Sequence, residues 1–227
     1  MLANLSTDGY DIIPEFLPLE GVARLIITIG DVTSPKRGTN RAGLRNLLEI
    51  PAVAELAASA PVRAVVEHVL GPTMFQVRGI FFDKTPGANW RVGWHQDTAI
   101  PVAEQFETPG FTGWSIKEGV PHVHAPAEVL DHMLTVRVHL DDTNEANGAL
   151  RVLRGSHRQG KLDQAAITEW ERHNEPVLCN VPRGGALLMR PLLLHSSAPA
   201  TTPHHRRVIH LEFAAGPLPE PLKWWNP

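Results

Sequence analysis

His95-Gln96-Asp97 offers an imidazole and a carboxylate two residues apart. On a strand, residues i and i+2 point to the same side, so both groups can approach one metal ion. With a second histidine they would make a ligand set of two histidines and a carboxylate on one face of the ion. Open positions then remain for oxygen and a cosubstrate, as non-haem iron oxygenases require. Twelve histidines raise the background for any such spacing, and two others occur, His139-Leu140-Asp141 and His210-Leu211-Glu212. The first is preferred. It ends a strand-like run and opens the longest turn-rich stretch, where a substrate could reach it. It also has more strand-like sequence after it, from which a closed sheet can return a distal histidine. Asp141-Asp142 has a plainer use, capping backbone N–H groups where a strand turns.

Several histidines could complete the set. His195 ends the apolar run Pro191-Leu192-Leu193-Leu194 and is followed by small polar residues. His204 and His205 lie in a Thr/Pro-rich loop, and His157 sits in a Gly-Ser-His turn. His195 is therefore the best placed. A rival, zinc-like site could be built from His122-Val123-His124 and one more histidine, although no strand pattern fixes that pair.

The elements that must position these groups follow from periodicity. Residues 19–31 place Val22, Leu25, Ile26 and Ile29 on one helical face, just after Pro18. Further helices are expected from Pro51 and from Pro61, the latter stopped by Gly71-Pro72. After residue 72 the pattern becomes short strands with frequent turns, and a short helix is expected over residues 164–172. Twenty prolines and eighteen glycines suit such a fold better than a helical bundle. The expectation is one mainly β (α+β) domain over residues 1–227, with a jelly-roll core and helices packed outside.

With these elements in order, the chain resembles the phytanoyl-CoA dioxygenase family of Fe(II)/2-oxoglutarate oxygenases. The matching pieces are WHQD, LDDTNEANGALRVLRGSH, RPLLLHSS and RRVIHLEF, together with the opening DGYDIIPEFLPLEGVARL. They span nearly the whole chain. One departure is Arg154, where the family often has proline. The resemblance implies a double-stranded β-helix, with Fe(II) held by His95, Asp97 and His195 and with 2-oxoglutarate and O2 as cosubstrates. It implies hydroxylation of a small molecule with release of succinate and CO2. Asp97 favours that outcome over halogenation, which needs the carboxylate position vacant. It also implies that Ser197 and Arg206 hold the far carboxylate of 2-oxoglutarate, and a guanidinium matches a carboxylate with two parallel hydrogen bonds. Arg207 is the rival. Strand alternation puts Arg207 with Ile209, Leu211 and Phe213 on an apolar row and leaves Arg206 on the barrel-lining row. Gln76 is a further candidate for the cosubstrate, with packing at the core edge as its other reading. A cupin-like metalloprotein of other activity, and a binding protein on the same scaffold, are the alternatives.

Residues 98–128 read as an irregular lid, long enough to suggest a function. Trp114 and Lys117 within it are expected to cover a substrate and anchor an anionic group. A net charge of −3 argues against a non-specific nucleic-acid or membrane surface. The first residues have no basic, apolar leader pattern, and the single Cys179 fits a reducing cytoplasm. The tail, with Trp224 and Trp225, is expected to pack on the barrel or on a second subunit, so monomer and homodimer both stay open.

Overall fold

The computed structural model describes residue 2, residues 4–33 and residues 43–226. A short helix α1 (Asn4–Thr7) and strand β1 (Tyr10–Ile13) lead to α2 (Leu19–Thr33). Two more helices, α3 (Pro51–Ala57) and α4 (Ala60–Leu70), carry proline in the first turn, where a missing N–H costs nothing. Val22, Leu25 and Ile29 of α2, Val53 and Leu56 of α3, and Val62 and Val66 of α4 are buried in one apolar cluster.

The strands follow as β2 (Met74–Lys84), β3 (Val92–His95), β4 (Ala99–Pro101), β5 (Thr112–Lys117) and β6 (Val120–His124). After helix α5 (Ala127–Leu130) come β7 (Met133–His139) and β8 (Leu150–Val152). Helix α6 (Gln164–His173) precedes β9 (Val177–Leu178), β10 (Ala186–Met189), β11 (His195–Ser197) and β12 (Arg206–Ala215). Asp163 caps α6 by accepting the Ala166 N–H. One antiparallel sheet runs β1-β10-β7-β12-β2, and a second runs β3-β11-β8-β9.

Period-2 alternation divides the first sheet into two faces. Leu134, Val136 and Val138 of β7 and Ile209, Leu211 and Phe213 of β12 join the helices in the outer cluster. Arg137, Arg206, His210 and Glu212 point the other way, into a cavity of about 220 Å³ between the two sheets. This is the double-stranded β-helix with helices outside that the sequence predicts.

Residues 98–128 are not irregular, which corrects the expectation. Strands β4, β6 and β5 form a third antiparallel sheet. The β5–β6 hairpin turns on Glu118 and Gly119, both at positive φ (+49° and +82°). A turn with both central residues left-handed matches the strand twist, and Glu-Gly is a less obvious signal for it than Asn-Gly. Ile100, Val102, Phe111 and Val123 bury their side chains in a second apolar cluster. The tail joins the same cluster through Leu218 and Leu222, and Trp224 meets Phe75 edge to face. The tail therefore packs on this chain's own barrel.

A strand-built cap with its own core resists proteases, unlike a loose loop. Limited proteolysis should cut only in the exposed connection at residues 103–107 and spare residues 112–124, with or without ligands. Ligand-dependent cleavage within residues 112–124 would show that the cap opens.

Candidate metal centre

His95 and His195, distant in sequence, are directly opposed by antiparallel pairing of β3 with β11. Their rings meet at 4.1 Å between centroids, tilted by 50°. Each Nδ1 lies 2.9 Å from a backbone carbonyl, that of Gly93 for His95 and Leu193 for His195. A carbonyl can only accept, so both Nδ1 atoms carry the hydrogen, and both Nε2 lone pairs are left free. Those Nε2 atoms sit 3.8 Å and 3.6 Å from the two oxygens of Asp97. One ligand atom from each of the three residues falls within 4.8 Å of the others. The carbonyl bonds fix tautomer and ring orientation, as metal-bound histidines require.

Electrostatics keeps the set in ligating form. Burial, reinforced by the His95 charge, lowers the His195 pKa to about 3, so its ring is neutral at physiological pH. Burial alone would raise the Asp97 pKa, but the surrounding imidazoles of His195, His210 and His95, with Arg78, outweigh it and lower it, so the carboxylate is ionised. Asp97 Oδ2 is buried and has no hydrogen-bond partner among the described residues. A buried anionic oxygen without a donor is costly, and a cation between the three residues would satisfy it. The donor set therefore fits a divalent iron ion.

Gln96 was not recognised in the sequence as part of this machinery. Strand alternation turns it away from its neighbours, into the interior. Its Nε2 donates to the carbonyls of Gly160 and Leu192, each at 2.8 Å, and its Oε1 accepts the Leu162 N–H at 2.8 Å. The backbone N–H of Asp97 donates to Pro191 O at 2.9 Å. These bonds tie the ligand strand to the segment before His195. Gln96→Ala leaves three polar groups unpaired and should cost about 2–4 kcal/mol of stability, measured by denaturant titration. It should also weaken metal binding roughly tenfold, measured by chelator competition. Wild-type stability in this variant would remove Gln96 from the scaffold.

The far end of the cavity is cationic. Arg206 is 3% exposed, and its Nε and Nη1 have no hydrogen-bond partner among the described residues. Burial and the neighbouring Arg137 charge pull its pKa down to about 9. Arg207 points outward and is committed to Asp141, with Nε and Nη2 at 2.8 and 2.6 Å from its oxygens. Lys84, opposite Arg206 in the β2–β12 register, is fully buried. Its Nζ donates to Ser197 Oγ at 2.8 Å and to the Ala198 carbonyl. Ser197 Oγ donates in turn to Gly148 O at 2.9 Å. The Ser197 hydroxyl is thus already engaged, and Lys84 is the more available donor. A side chain at Gly148 would put its Cβ 2.5 Å from Ala198 O and 2.9 Å from Lys84 Nζ. Only glycine lets this turn pass so close.

Gln76 lies elsewhere, which corrects the expectation that it reaches a cosubstrate. The inward row of β2 runs Lys84, Phe82, Ile80, Arg78. A register shift between Glu212 and Phe213 then carries Gln76 out to a separate surface hollow with Trp224 and Trp225. Trp114 does not line the cavity either; its ring packs on the second apolar cluster. Lys117 is half-buried near the cavity mouth, close enough to Asp97 and Glu212 to feel their charges. Among the described residues His122 and His124 join no metal-competent group. His124 Nδ1 instead lies 2.7 Å from Thr98 Oγ1.

His210-Leu211-Glu212 takes part as a wall. Arg137 Nη1 donates to His210 Nδ1 at 2.7 Å. Arginine has no acceptor, so the His210 hydrogen is on Nε2, which donates to Glu212 Oε1 at 3.0 Å. Arg78 Nη2 donates to the same oxygen at 2.7 Å. Asp97, His210 and Glu212 also bring ligand atoms within 4.8 Å of one another. Arg78 and Arg137 occupy this group from both sides, which disfavours a second cation.

Comparison with known proteins agrees with this picture. The family model described as phytanoyl-CoA dioxygenase (PhyH) matches residues 5–208. A curated protein of Stutzerimonas stutzeri, named a probable alpha-ketoglutarate-dependent hypophosphite dioxygenase, is 24% identical over 91% of this chain and 75% of its own length. EctD from S. alaskensis in its apo form superposes with a TM-score of 0.75 at 22% identity, covering 99% of this chain and 80% of that one. The same protein solved with 2-oxoglutarate and 5-hydroxyectoine gives 0.72 at 21% identity, over 94% and 74%. At these identities the structural likenesses establish a shared fold.

Proposed function

Because the chain belongs to the phytanoyl-CoA dioxygenase family, we propose that it is an Fe(II)- and 2-oxoglutarate-dependent dioxygenase whose metal is held by His95, Asp97 and His195. The observation that carries this reading is the convergence of two free Nε2 lone pairs on a carboxylate with a buried, unpartnered oxygen. Bound there, iron(II) would supply the chemistry that couples oxidative decarboxylation of 2-oxoglutarate, with O2, to hydroxylation of a substrate, leaving succinate and CO2.

The protein's own part is positional. Arg206 and Lys84 would take the far carboxylate of 2-oxoglutarate, aligning the molecule along the cavity toward the histidines. Ser197 would hold Lys84 in place. Apolar Ile80, Phe82, Val92 and Leu150 complete the lining and limit water around the reacting groups. The cavity, at about 220 Å³ as bounded by the described residues, is smaller than the roughly 300–1,000 Å³ of drug-sized ligand sites. It must also hold the cosubstrate, so the primary substrate is a small molecule. Residues 1–227 would act as one domain, as a monomer or homodimer. The thiol of Cys179, pushed up to about 12 by burial, is inert, and the single cysteine fits a cytoplasmic setting. Among the described residues no helix is long and apolar enough to cross a membrane.

The test is succinate release from 2-oxoglutarate under air. Iron-dependent succinate, abolished by chelator and restored by Fe(II), is expected. Iron binding without any turnover across a broad screen of small molecules would favour a binding protein on this scaffold.

Lys84 adds a pH dependence. Burial, then the Arg206 charge, lowers its pKa to about 8. The protonated amine is the form that binds a carboxylate, so 2-oxoglutarate affinity should fall as pH rises through about 8 and above. Lys84→Met should flatten that profile, measured by the 2-oxoglutarate KM between pH 6.5 and 9. An unchanged profile would exclude Lys84 from the subsite.

A further inference from the structure

Arg206 is not the only cavity arginine with a spare donor. Arg78 lines the same cavity, is nine-tenths buried, and gives Nη2 to Glu212. Its Nε is buried and has no hydrogen-bond partner among the described residues. The two arginines stand at opposite ends of the inward row. Arg206 and Glu212 are six residues apart on β12, roughly 20 Å at the usual strand rise. Arg78 pairs with Glu212 across the β2–β12 ladder. The proposed metal ligands lie between these ends: His195 is two residues along its strand from Ser197, which Lys84 holds beside Arg206, and at the other end Glu212 brings an oxygen within 4.8 Å of the Asp97 ligand atom. An acid bound at Arg206 therefore leaves Arg78 on the metal's other side, where a substrate must sit.

Further cations gather at that end. Arg45 and His122 line a small hollow together with Arg78. Lys117 is near enough to Arg45 and Arg78 that their charges, after burial, help lower its pKa. The acids opposing them are Glu212 and, beside Arg45, Glu118. Among the described residues, three cations thus face two carboxylates, with Asp97 assigned to the metal. The excess and the orphaned Nε call for an anion.

We infer that the primary substrate is a small organic oxyacid, a carboxylate or a phosphonate, whose anionic group is received by Arg78 with Lys117 and Arg45 at the mouth. This rests on the reading of the site as an iron and 2-oxoglutarate centre. Arg78 lies one hydrogen bond from Glu212, so the bound anion would be only a few bonds from the carbon presented to the metal. Long acyl chains do not fit such a short span.

The test uses the protein loaded with Fe(II) and 2-oxoglutarate without oxygen, so that Arg206 is occupied. Four probes are titrated by calorimetry and by change in the visible charge-transfer band. These are propionate and methylphosphonate, with neutral propionamide and dimethyl methylphosphonate as their partners. At least one anion should bind tenfold or more tightly than its neutral partner, and which anion does so identifies the class. Arg78→Gln should remove that preference. Because this variant strands the buried Glu212, Arg78→Gln/Glu212→Gln is tested beside it to keep a neutral hydrogen-bonded pair. Equal binding of anions and neutral probes, or an anion preference that survives in the folded double variant, would overturn the inference. Failure to load iron or 2-oxoglutarate at all would instead overturn the functional reading beneath it.

Discussion

His95→Ala, Asp97→Ala and His195→Ala should each give a folded protein that no longer retains iron. Changing residues that merely orient metal ligands costs roughly 10–100-fold in affinity, so removing a ligand should cost more. Turnover should be lost in all three. Folding is expected to survive, because none of the three contributes to an apolar cluster. Asp97→Ala even removes a buried oxygen that has no protein partner. His124→Ala should keep its iron. So should His139→Ala, whose ring is buried beside Thr143 and outside the ligand group, though with some loss of stability. Metal analysis after gel filtration, with circular dichroism for folding, distinguishes these outcomes. Full iron occupancy in His195→Ala with loss in His124→Ala would move the site to the cap sheet.

Arg206→Ala should have the second largest effect, on the cosubstrate alone. Truncating one partner of a buried charged pair costs about 2–4 kcal/mol, which is roughly 30- to 1,000-fold in the 2-oxoglutarate requirement. Iron should still bind, because Arg206 touches none of the ligands. Arg207→Ala removes a partly exposed pair with Asp141 and should change stability by about 1 kcal/mol or less. It should leave the 2-oxoglutarate KM near wild type. Reversed effects in the two variants would mean that Arg207 carries the subsite.

Much of this was legible in the sequence because it follows from short periods. Alternation separated Arg206 from Arg207, and the ladder places Ile209, Leu211 and Phe213 against the helices as that alternation requires. Prolines and Gly71 marked the helix ends closely. Asp141 and Asp142 do cap backbone N–H groups, those of Arg207 and Arg183.

What was not legible depends on long-range register. Gln76 has the same parity as Arg78 and Lys84, and only the bulge beside it, at Val77, removes it from the cavity. The cap leaves little trace in the sequence because its strands are short and its hairpin turns on Glu118-Gly119 without an Asn-Gly signal. Lys84 and Arg78 carry no such signal, because a charged residue in an apolar strand reveals its partner only once the opposing strand is known. Here those partners are Ser197 and Glu212. Glu212 itself was weighed only as a possible ligand, and its pairing with Arg78 and His210 gives it a different place.

The central claim is that one site binds iron through His95, Asp97 and His195 and 2-oxoglutarate through Arg206. The most direct measurement is an anaerobic titration of the apo-protein with Fe(II) in the presence of 2-oxoglutarate, followed by visible absorption. A charge-transfer band should grow to saturation at one iron per chain, vanish in Asp97→Ala, and require far more 2-oxoglutarate in Arg206→Ala. A protein that binds iron tightly but develops no band at saturating 2-oxoglutarate, or whose band is unaffected by Asp97→Ala, would contradict the account.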